Sequence, residues 1–183
     1  MAFTNKVVRN PITGQDIRFV RTAADTGGKL LEMETIYRPH SAEPTDHYHP
    51  YQAEEFTVLQ GELTVRIDGQ LEKLKPGDTL HIPANTVHAM WNASDQKTVV
   101  TWQVRPALDT EYLLETASGL AADGKVTASG MPPLLQTALL VNRFSGVFRV
   151  AKPSFVVQKI LFTILAPVAY LFGYKSTYGK YLD

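Results

Sequence analysis

Short runs in which apolar and polar residues alternate recur between about residue 15 and residue 106, and each run ends at a turn signal. In one run Leu31 and Met33 alternate with Glu32 and Glu34, and residues 63–67 repeat the pattern. Alternation with a period of two gives a strand one apolar and one polar face. Glycine, proline, asparagine and aspartate between the runs favour tight turns. The pattern therefore predicts an all-β barrel or sandwich of about eight strands.

A group of histidines stands out against this background. His47 and His49 are one residue apart, Glu54 follows, and His88 lies further along the chain. Residues two apart on a strand face the same way, so both imidazoles can approach one ion while Tyr48 points away. Three neutral nitrogens and one carboxylate suit a divalent first-row transition metal. The sequence predicts one such metal and leaves open whether it is iron, nickel, manganese, cobalt or zinc.

Strand parity selects Glu54 rather than Glu55 as the carboxylate ligand. Glu54 shares its face with Phe56 and Val58, so that face is otherwise apolar and typical of a barrel interior. Glu55 is expected to face outward. Because a carboxylate can leave a metal and accept a proton, Glu54 is also the candidate catalytic residue.

The same parity places a substrate pocket beside the metal. Met90 follows His88 by two residues and faces the same interior. The predicted pocket is lined by Tyr37, Phe56, Met90 and Trp102. An ordinary core position is the alternative for Tyr37 and Trp102, because an aromatic side chain on an apolar strand face fills the core more often than it contacts a ligand. His81 is expected to lie in solvent.

The spacing of these residues resembles the two sequence motifs of the cupin family. The first motif has two histidines one residue apart, then a glutamate and a glycine, and the second has glycine, proline, glycine, histidine and asparagine at fixed intervals. The matching positions here are His47, His49, Glu54 and Gly61, followed by Gly77, Pro83, Asn85, His88 and Asn92. The resemblance covers about residues 15–106.

Two positions depart from the motifs. Ser41 stands where the first motif begins with glycine, and Asn85 replaces the glycine inside the second. Asparagine is the residue other than glycine that best tolerates a positive φ, so a tight turn at Asn85 is still expected. The resemblance implies a double-stranded jelly-roll barrel and a homodimer.

Three functions fit a site of this kind. Iron or nickel with an open coordination position could bind a chelating substrate and dioxygen, as in many cupin dioxygenases, and the resemblance slightly favours this hypothesis. A redox-inert metal could instead polarise a carbonyl, supporting an isomerase or lyase that acts on a sugar or keto acid. The third hypothesis is a non-catalytic module that binds a small molecule, for which a pocket closed by the C-terminal helices would be the sign.

Composition excludes several other classes. Lysine plus arginine equals aspartate plus glutamate at 18 each, so the net charge is zero and we expect no nucleic-acid partner. The chain has no cysteine, which excludes disulfides and thiolate ligands. The first residues are polar and lack the apolar stretch of a secretory signal, so a cytoplasmic location is expected.

The pattern changes after Pro106. Residues 1–106 are predicted to form the barrel and residues 107–183 a helical C-terminal extension that packs on the barrel or on a partner. Helices are predicted over residues 109–122, 134–150 and 155–174, separated by breaks that contain glycine and proline.

The segment 155–174 is apolar nearly all round. Such a helix is either buried or in contact with lipid. Its uninterrupted apolar run from Ile160 to Phe172 is shorter than the roughly 20 residues that span a bilayer, and Pro167 favours a bend. Packing against the barrel or a partner subunit is therefore the first expectation. Peripheral membrane contact is the second, since flanking lysines and arginines suit an anionic surface.

Overall fold

The computed structural model of the protein describes residues 2–127 and 130–182. Its strands are β1 (Val7–Asn10), β2 (Gln15–Arg21), β3 (Leu31–Tyr37), β4 (His47–Tyr48), β5 (Ala53–Gln60), β6 (Leu63–Ile67), β7 (Gln70–Leu74), β8 (Thr79–Ile82), β9 (His88–Trp91), β10 (Thr98–Arg105) and β11 (Arg149–Val150). Its helices are α1 (Ala23–Thr26), α2 (Thr110–Ala122), α3 (Leu134–Phe144), α4 (Phe155–Leu171) and a 3₁₀ turn over Gly179–Tyr181.

The strands form two antiparallel sheets. The first has the order β1-β2-β3-β10-β5-β8 and the second the order β11-β4-β9-β6-β7. The predicted all-β jelly-roll class is confirmed. The described residues contain eleven strands rather than about eight, because two-residue strands such as β4 and β11 are too short to leave an alternating pattern.

Apolar side chains of both sheets meet in one core. Burial alternates strictly along β3, as its sequence predicts. The core includes Ile17, Phe19, Leu31, Met33, Phe56, Val58, Val100, Trp102 and Val104 from the first sheet, and Leu63, Val65 and Met90 from the second. This shared interior is where the strands place their inward side chains.

The residues of the second motif shape the loops around the barrel. Asn85 adopts a φ of 67°, so it serves the turn for which the motif has glycine. Asn92 is fully buried, and its side-chain amide donates to the carbonyl oxygens of Tyr37, Arg38 and Gln96. Ser41 accepts a hydrogen bond from the backbone N–H of Asn92 at 2.8 Å. These bonds satisfy buried backbone groups and fix the loop between β3 and β4.

The predicted helix over residues 134–150 is wrong beyond Phe144. There α3 ends, and the chain forms β11, which pairs antiparallel with β4, the strand that carries His47. Ser145 and Gly146 are poor helix formers, and the valines and phenylalanine that follow favour an extended chain. The C-terminal extension thereby adds a strand to the second sheet.

The other two predicted helices are present with small shifts in their ends. The first is α2, which packs against β1. The last is α4, which packs against α3 and continues through Pro167. Within residues 2–127 and 130–182, no helix has both the length and the hydropathy required to cross a bilayer.

Gly61 offers a test of the barrel geometry. Its φ is 77°, and an added Cβ would collide with the carbonyl oxygen of Lys97. Gly69 has a φ of 84° but no atom within 4 Å of such a Cβ. We predict that Gly69→Ala lowers the free energy of unfolding by about 1–2 kcal/mol through backbone strain, and that Gly61→Ala lowers it by about 1–3 kcal/mol more. Urea titrations measure both, and equal losses would contradict the prediction.

Candidate metal centre

The three histidines predicted as ligands lie close together. His47 is on β4, His88 is its direct partner on β9, and His49 immediately follows β4. Each offers a nitrogen, and these nitrogens all lie within 4.8 Å of one another. The short strand β4 is what allows His47 and His49 to face the same point.

In each of the three imidazoles, Nδ1 is hydrogen-bonded to a backbone carbonyl oxygen. His47 Nδ1 lies 3.0 Å from the oxygen of Thr45, and His88 Nδ1 lies 3.0 Å from that of Thr86. His49 Nδ1 lies 2.6 Å from the oxygen of Val147. A carbonyl oxygen only accepts, so Nδ1 carries a proton in each ring, and in the neutral ring Nε2 keeps its lone pair. Metal-binding histidines are oriented by bonds of this kind.

Glu54 brings a buried carboxylate to the same place. Its Oε1 accepts a hydrogen bond from Trp102 Nε1 at 2.9 Å. Its Oε2 lies 2.9 Å from Nε2 of His88 and 3.3 Å from Nε2 of His49, yet it makes no hydrogen bond among the described residues. A buried carboxylate oxygen without a donor is costly. A divalent cation shared by Oε2 and the three Nε2 atoms would fit this donor set and would remove that cost.

The pKa shifts at the site act in different directions on metal binding. Burial acts to raise the pKa of Glu54, but the imidazoles around it outweigh this and lower the pKa to about 2. Burial and the other two histidines lower the pKa of His47 to about 3. For His88, burial acts to lower the pKa, but the Glu54 carboxylate raises it overall. An anionic Glu54 and a neutral His47 are the protonation states that a metal requires, whereas at His88 a metal must compete with the proton that the raised pKa favours.

The predicted pocket residues all lie in the barrel core, and whether any of them touches a substrate stays a prediction. Trp102 holds Glu54 and stacks on Phe56, with ring centroids 5.5 Å apart. Met90 is buried. Burial and the nearby Glu54 carboxylate raise the pKa of Tyr37, so its phenol stays protonated. His81, expected in solvent, is exposed.

Sequence reasoning missed two contributions from the C-terminal extension. One is the carbonyl oxygen of Val147, which orients His49 across 98 positions of sequence. The other is the ring of Phe148, which stacks on His47 with centroids 4.6 Å apart and meets His49 edge-on at 6.0 Å. The valines and aromatic residue at positions 147–150 were the available signal for a strand, but they lay inside a segment with helical periodicity.

Comparison with known proteins identifies the family to which this chain belongs. A protein-family model for the cupin domain matches residues 33–104. The chain is 30% identical over 151 residues to the "probable oxidoreductase virH" of Hypocrea virens, covering 75% of this chain and 67% of that protein. The chain belongs to the cupin superfamily. Two further proteins are similar to parts of this chain, one in sequence and one in structure.

Quercetin 2,3-dioxygenase of Bacillus subtilis is 40% identical to this cupin over 79 residues. The match covers 43% of this chain and 23% of that enzyme, so the chain spans less than a quarter of the dioxygenase's length. Among solved structures, a predicted oxalate decarboxylase of Thermotoga maritima has a TM-score of 0.50 and 18% identity, covering 56% of this chain and 92% of that one. At this level of identity the structural likeness shows the cupin fold alone.

The ligand set can be tested by removing one imidazole. We predict that His88→Ala lowers metal affinity by more than about tenfold, because first-sphere ligands contribute more than the outer groups whose loss costs about 10–100-fold. Elemental analysis of untagged protein measures the metal content. His81→Ala, which removes an exposed imidazole from β8, is the control and should keep full content. Unchanged metal content in His88→Ala would overturn the assignment.

Trp102 is predicted to act as a positioning residue for Glu54. Trp102→Phe keeps an aromatic ring but removes the N–H that holds Oε1, and we expect metal affinity to fall by about 10–100-fold. The matched control is Trp91→Phe, since both tryptophans are 9% exposed and Trp91 lies over Arg66 instead. Competition titrations against a chelator measure both affinities. Equal effects of the two substitutions would mean that Trp102 acts only through packing.

Proposed function

We propose that this cupin is a metal-dependent oxidoreductase that uses dioxygen to oxidise a small, oxygen-rich chelating substrate. One observation carries the proposal: the side chains of His47, His49, His88 and Glu54 bring three Nε2 lone pairs and an unbonded carboxylate oxygen together in a buried site. Iron or nickel bound by these four side chains would supply open coordination positions and redox chemistry for a substrate and dioxygen.

The similarities to known proteins support the same class. One relative is named a quercetin dioxygenase and another a probable oxidoreductase. The similarity to the dioxygenase extends over 79 residues, or 43% of this chain, so it supports the reaction class and not a particular substrate. Dioxygenase chemistry places both oxygen atoms in the product, and therefore no separate reductant is required.

Glu54 is the base that this site offers. Its Oε1 is held by Trp102, and Oε2 is the oxygen placed to bind the metal, so Oε2 would take a proton only after the carboxylate had left the metal. The lowered pKa of Glu54 keeps the carboxylate anionic before substrate arrives. A chelating substrate that displaced Oε2 as a ligand would pass the proton of its hydroxyl to Oε2, and the resulting anionic substrate would take the vacated ligand position. Phe56 and Met90, which are buried, would exclude water from this exchange.

Non-catalytic binding is the second candidate, and one observation favours it. Phe148 lies against two of the three ligand imidazoles, and β11 covers the edge of β4 beside them. A site covered by Phe148 and β11 could retain a bound small molecule, and it could equally shield a reaction from solvent. A Lewis-acid isomerase or lyase would use the same four side chains with a redox-inert metal.

Oxygen uptake separates these functions. Untagged protein is loaded with iron(II) or nickel(II) without oxygen and then mixed with flavonols, catechols or dicarbonyl compounds under labelled dioxygen. We predict oxygen uptake matched by a product that carries both labelled atoms, and none with His88→Ala. His81→Ala should keep the activity.

The other outcomes would each contradict the proposal. Conversion of a substrate without oxygen uptake would identify an isomerase or lyase, and zinc or manganese in the isolated protein would point the same way. Tight binding of a compound that is recovered unchanged from metal-loaded protein would identify a binding module.

A further inference from the structure

One face of α4 is used for packing within the C-terminal extension. Gln158, Phe162 and Ala169 are buried along it, at intervals that place them on one side of a helix. The side-chain amide of Gln158 donates to the carbonyl oxygens of Val150 and Pro153 at 3.0 Å and 2.6 Å. These contacts fix which side of α4 faces the protein.

The opposite face of α4 is exposed and almost entirely apolar. At 3.6 residues per turn, the side of α4 that faces away from Gln158 and Phe162 carries seven exposed aliphatic residues, which extend from the opposite face round to one flank. They are Val156, Val157, Ile160, Leu161, Ile164, Val168 and Leu171. Ile164 is 68% exposed and Leu171 87%. Soluble monomers rarely expose a contiguous apolar surface of this kind, and we call it the open face of α4.

Charge distinguishes the extension from the barrel. Residues 124–183 contain seven lysines and arginines and one aspartate, which gives a formal charge of +6. Residues 1–123 contain 11 basic and 17 acidic residues, which gives −6. The zero net charge of the chain therefore conceals a strongly basic C-terminal region joined to an acidic barrel.

Three of these lysines are placed beside the open face. Lys152 precedes α4, Lys159 lies on it and Lys175 follows it, and all three are exposed. Arg143 and Lys180, by contrast, are paired with carboxylates. For Lys152, Lys159 and Lys175, no carboxylate of the described part of the chain lies within ion-pair distance. Lys159 Nζ donates to Asn142 Oδ1 at 3.1 Å. An apolar helical face bordered by cations that have no carboxylate partner is complementary to an anionic lipid surface.

We propose that the open face of α4 binds the surface of an anionic lipid membrane. The helix lies in the plane of the interface with its aliphatic side chains among the acyl chains and its lysines at the headgroups. The acidic barrel is repelled by the same surface and projects away from it. Both contributions are needed, because the apolar face supplies insertion and the basic charge selects anionic lipid.

A second copy of the chain is the competing occupant of the open face. A two-fold symmetric dimer brings the same patch of both subunits together. Pairing α4 with α4 would therefore place two regions of charge +6 side by side, which like-charge repulsion opposes. Lipid is the partner whose charge matches this region.

Vesicle binding by the full chain tests the proposal. We predict co-sedimentation with vesicles of phosphatidylcholine and phosphatidylglycerol, little with phosphatidylcholine alone, and release at high salt. Ile160→Ser combined with Ile164→Ser should weaken binding at least about tenfold, because two exposed aliphatic anchors are lost. Leu71→Ser, which changes a 63% exposed leucine on β7, is the matched control and should bind normally. Replacing Lys152, Lys159 and Lys175 with glutamine should abolish the preference for anionic lipid.

Thermal unfolding of each variant establishes that it is folded, and all substituted side chains are exposed. Binding that is equal on neutral and anionic vesicles, or unchanged by the isoleucine substitutions, would overturn the proposal. A stable dimer that ignores vesicles and becomes monomeric with Ile160→Ser and Ile164→Ser would assign the open face to a second copy. Light scattering coupled to gel filtration provides that measurement.

Discussion

The site depends on one constraint, which is the burial of the Glu54 carboxylate in the barrel. An anion at 2% exposure must be compensated, and the barrel supplies one hydrogen bond from Trp102 to Oε1, while Oε2 faces the Nε2 atoms of His49 and His88. Because the Nδ1 atoms of those imidazoles are all engaged with backbone carbonyls, the rings direct lone pairs rather than protons toward the carboxylate. A cation is the group that would satisfy every atom of this arrangement.

The C-terminal extension is part of the same arrangement. The carbonyl oxygen of Val147 accepts from His49, and Phe148 lies on His47. Without the extension, the buried Nδ1 of His49 would lose its acceptor and its fixed tautomer. The boundary near residue 106 that the sequence predicts is therefore a change of secondary structure and not a limit of the metal centre.

The extension also links the metal centre to the open face of α4. Val150 pairs with His47, and its carbonyl oxygen accepts from Gln158 on α4. A lipid-bound α4 would thus be joined by a few residues to the strand that covers the site.

Much of the barrel was predictable, because the strand faces and turns are determined by residues close together in the sequence. Alternation along β3 predicted which side chains are buried, and the interval between His47 and His49 placed both on one face. Asn85 was expected to take a positive φ, and it does. These predictions rest on period and turn chemistry, which a single stretch of sequence contains.

The rest depends on pairing between distant segments. The contact between Trp102 and Glu54 requires β10 to lie beside β5, and parity gives the face of a residue but not the neighbour of its strand. The helix predicted over residues 134–150 was wrong at β11, because pairing with β4 outweighed the helical periodicity of that segment. Whether the four predicted ligands hold a metal is a question for a metal-loaded protein.

Anomalous diffraction from crystals of metal-loaded, untagged protein tests that central claim most directly. The account predicts a single peak in the barrel, bonded at about 2.0–2.3 Å to Nε2 of His47, His49 and His88 and to a carboxylate oxygen of Glu54. It also predicts that the three Nδ1 atoms keep their carbonyl partners. A metal bound through any Nδ1, a peak at another place, or an empty site in protein that carries stoichiometric metal would contradict it.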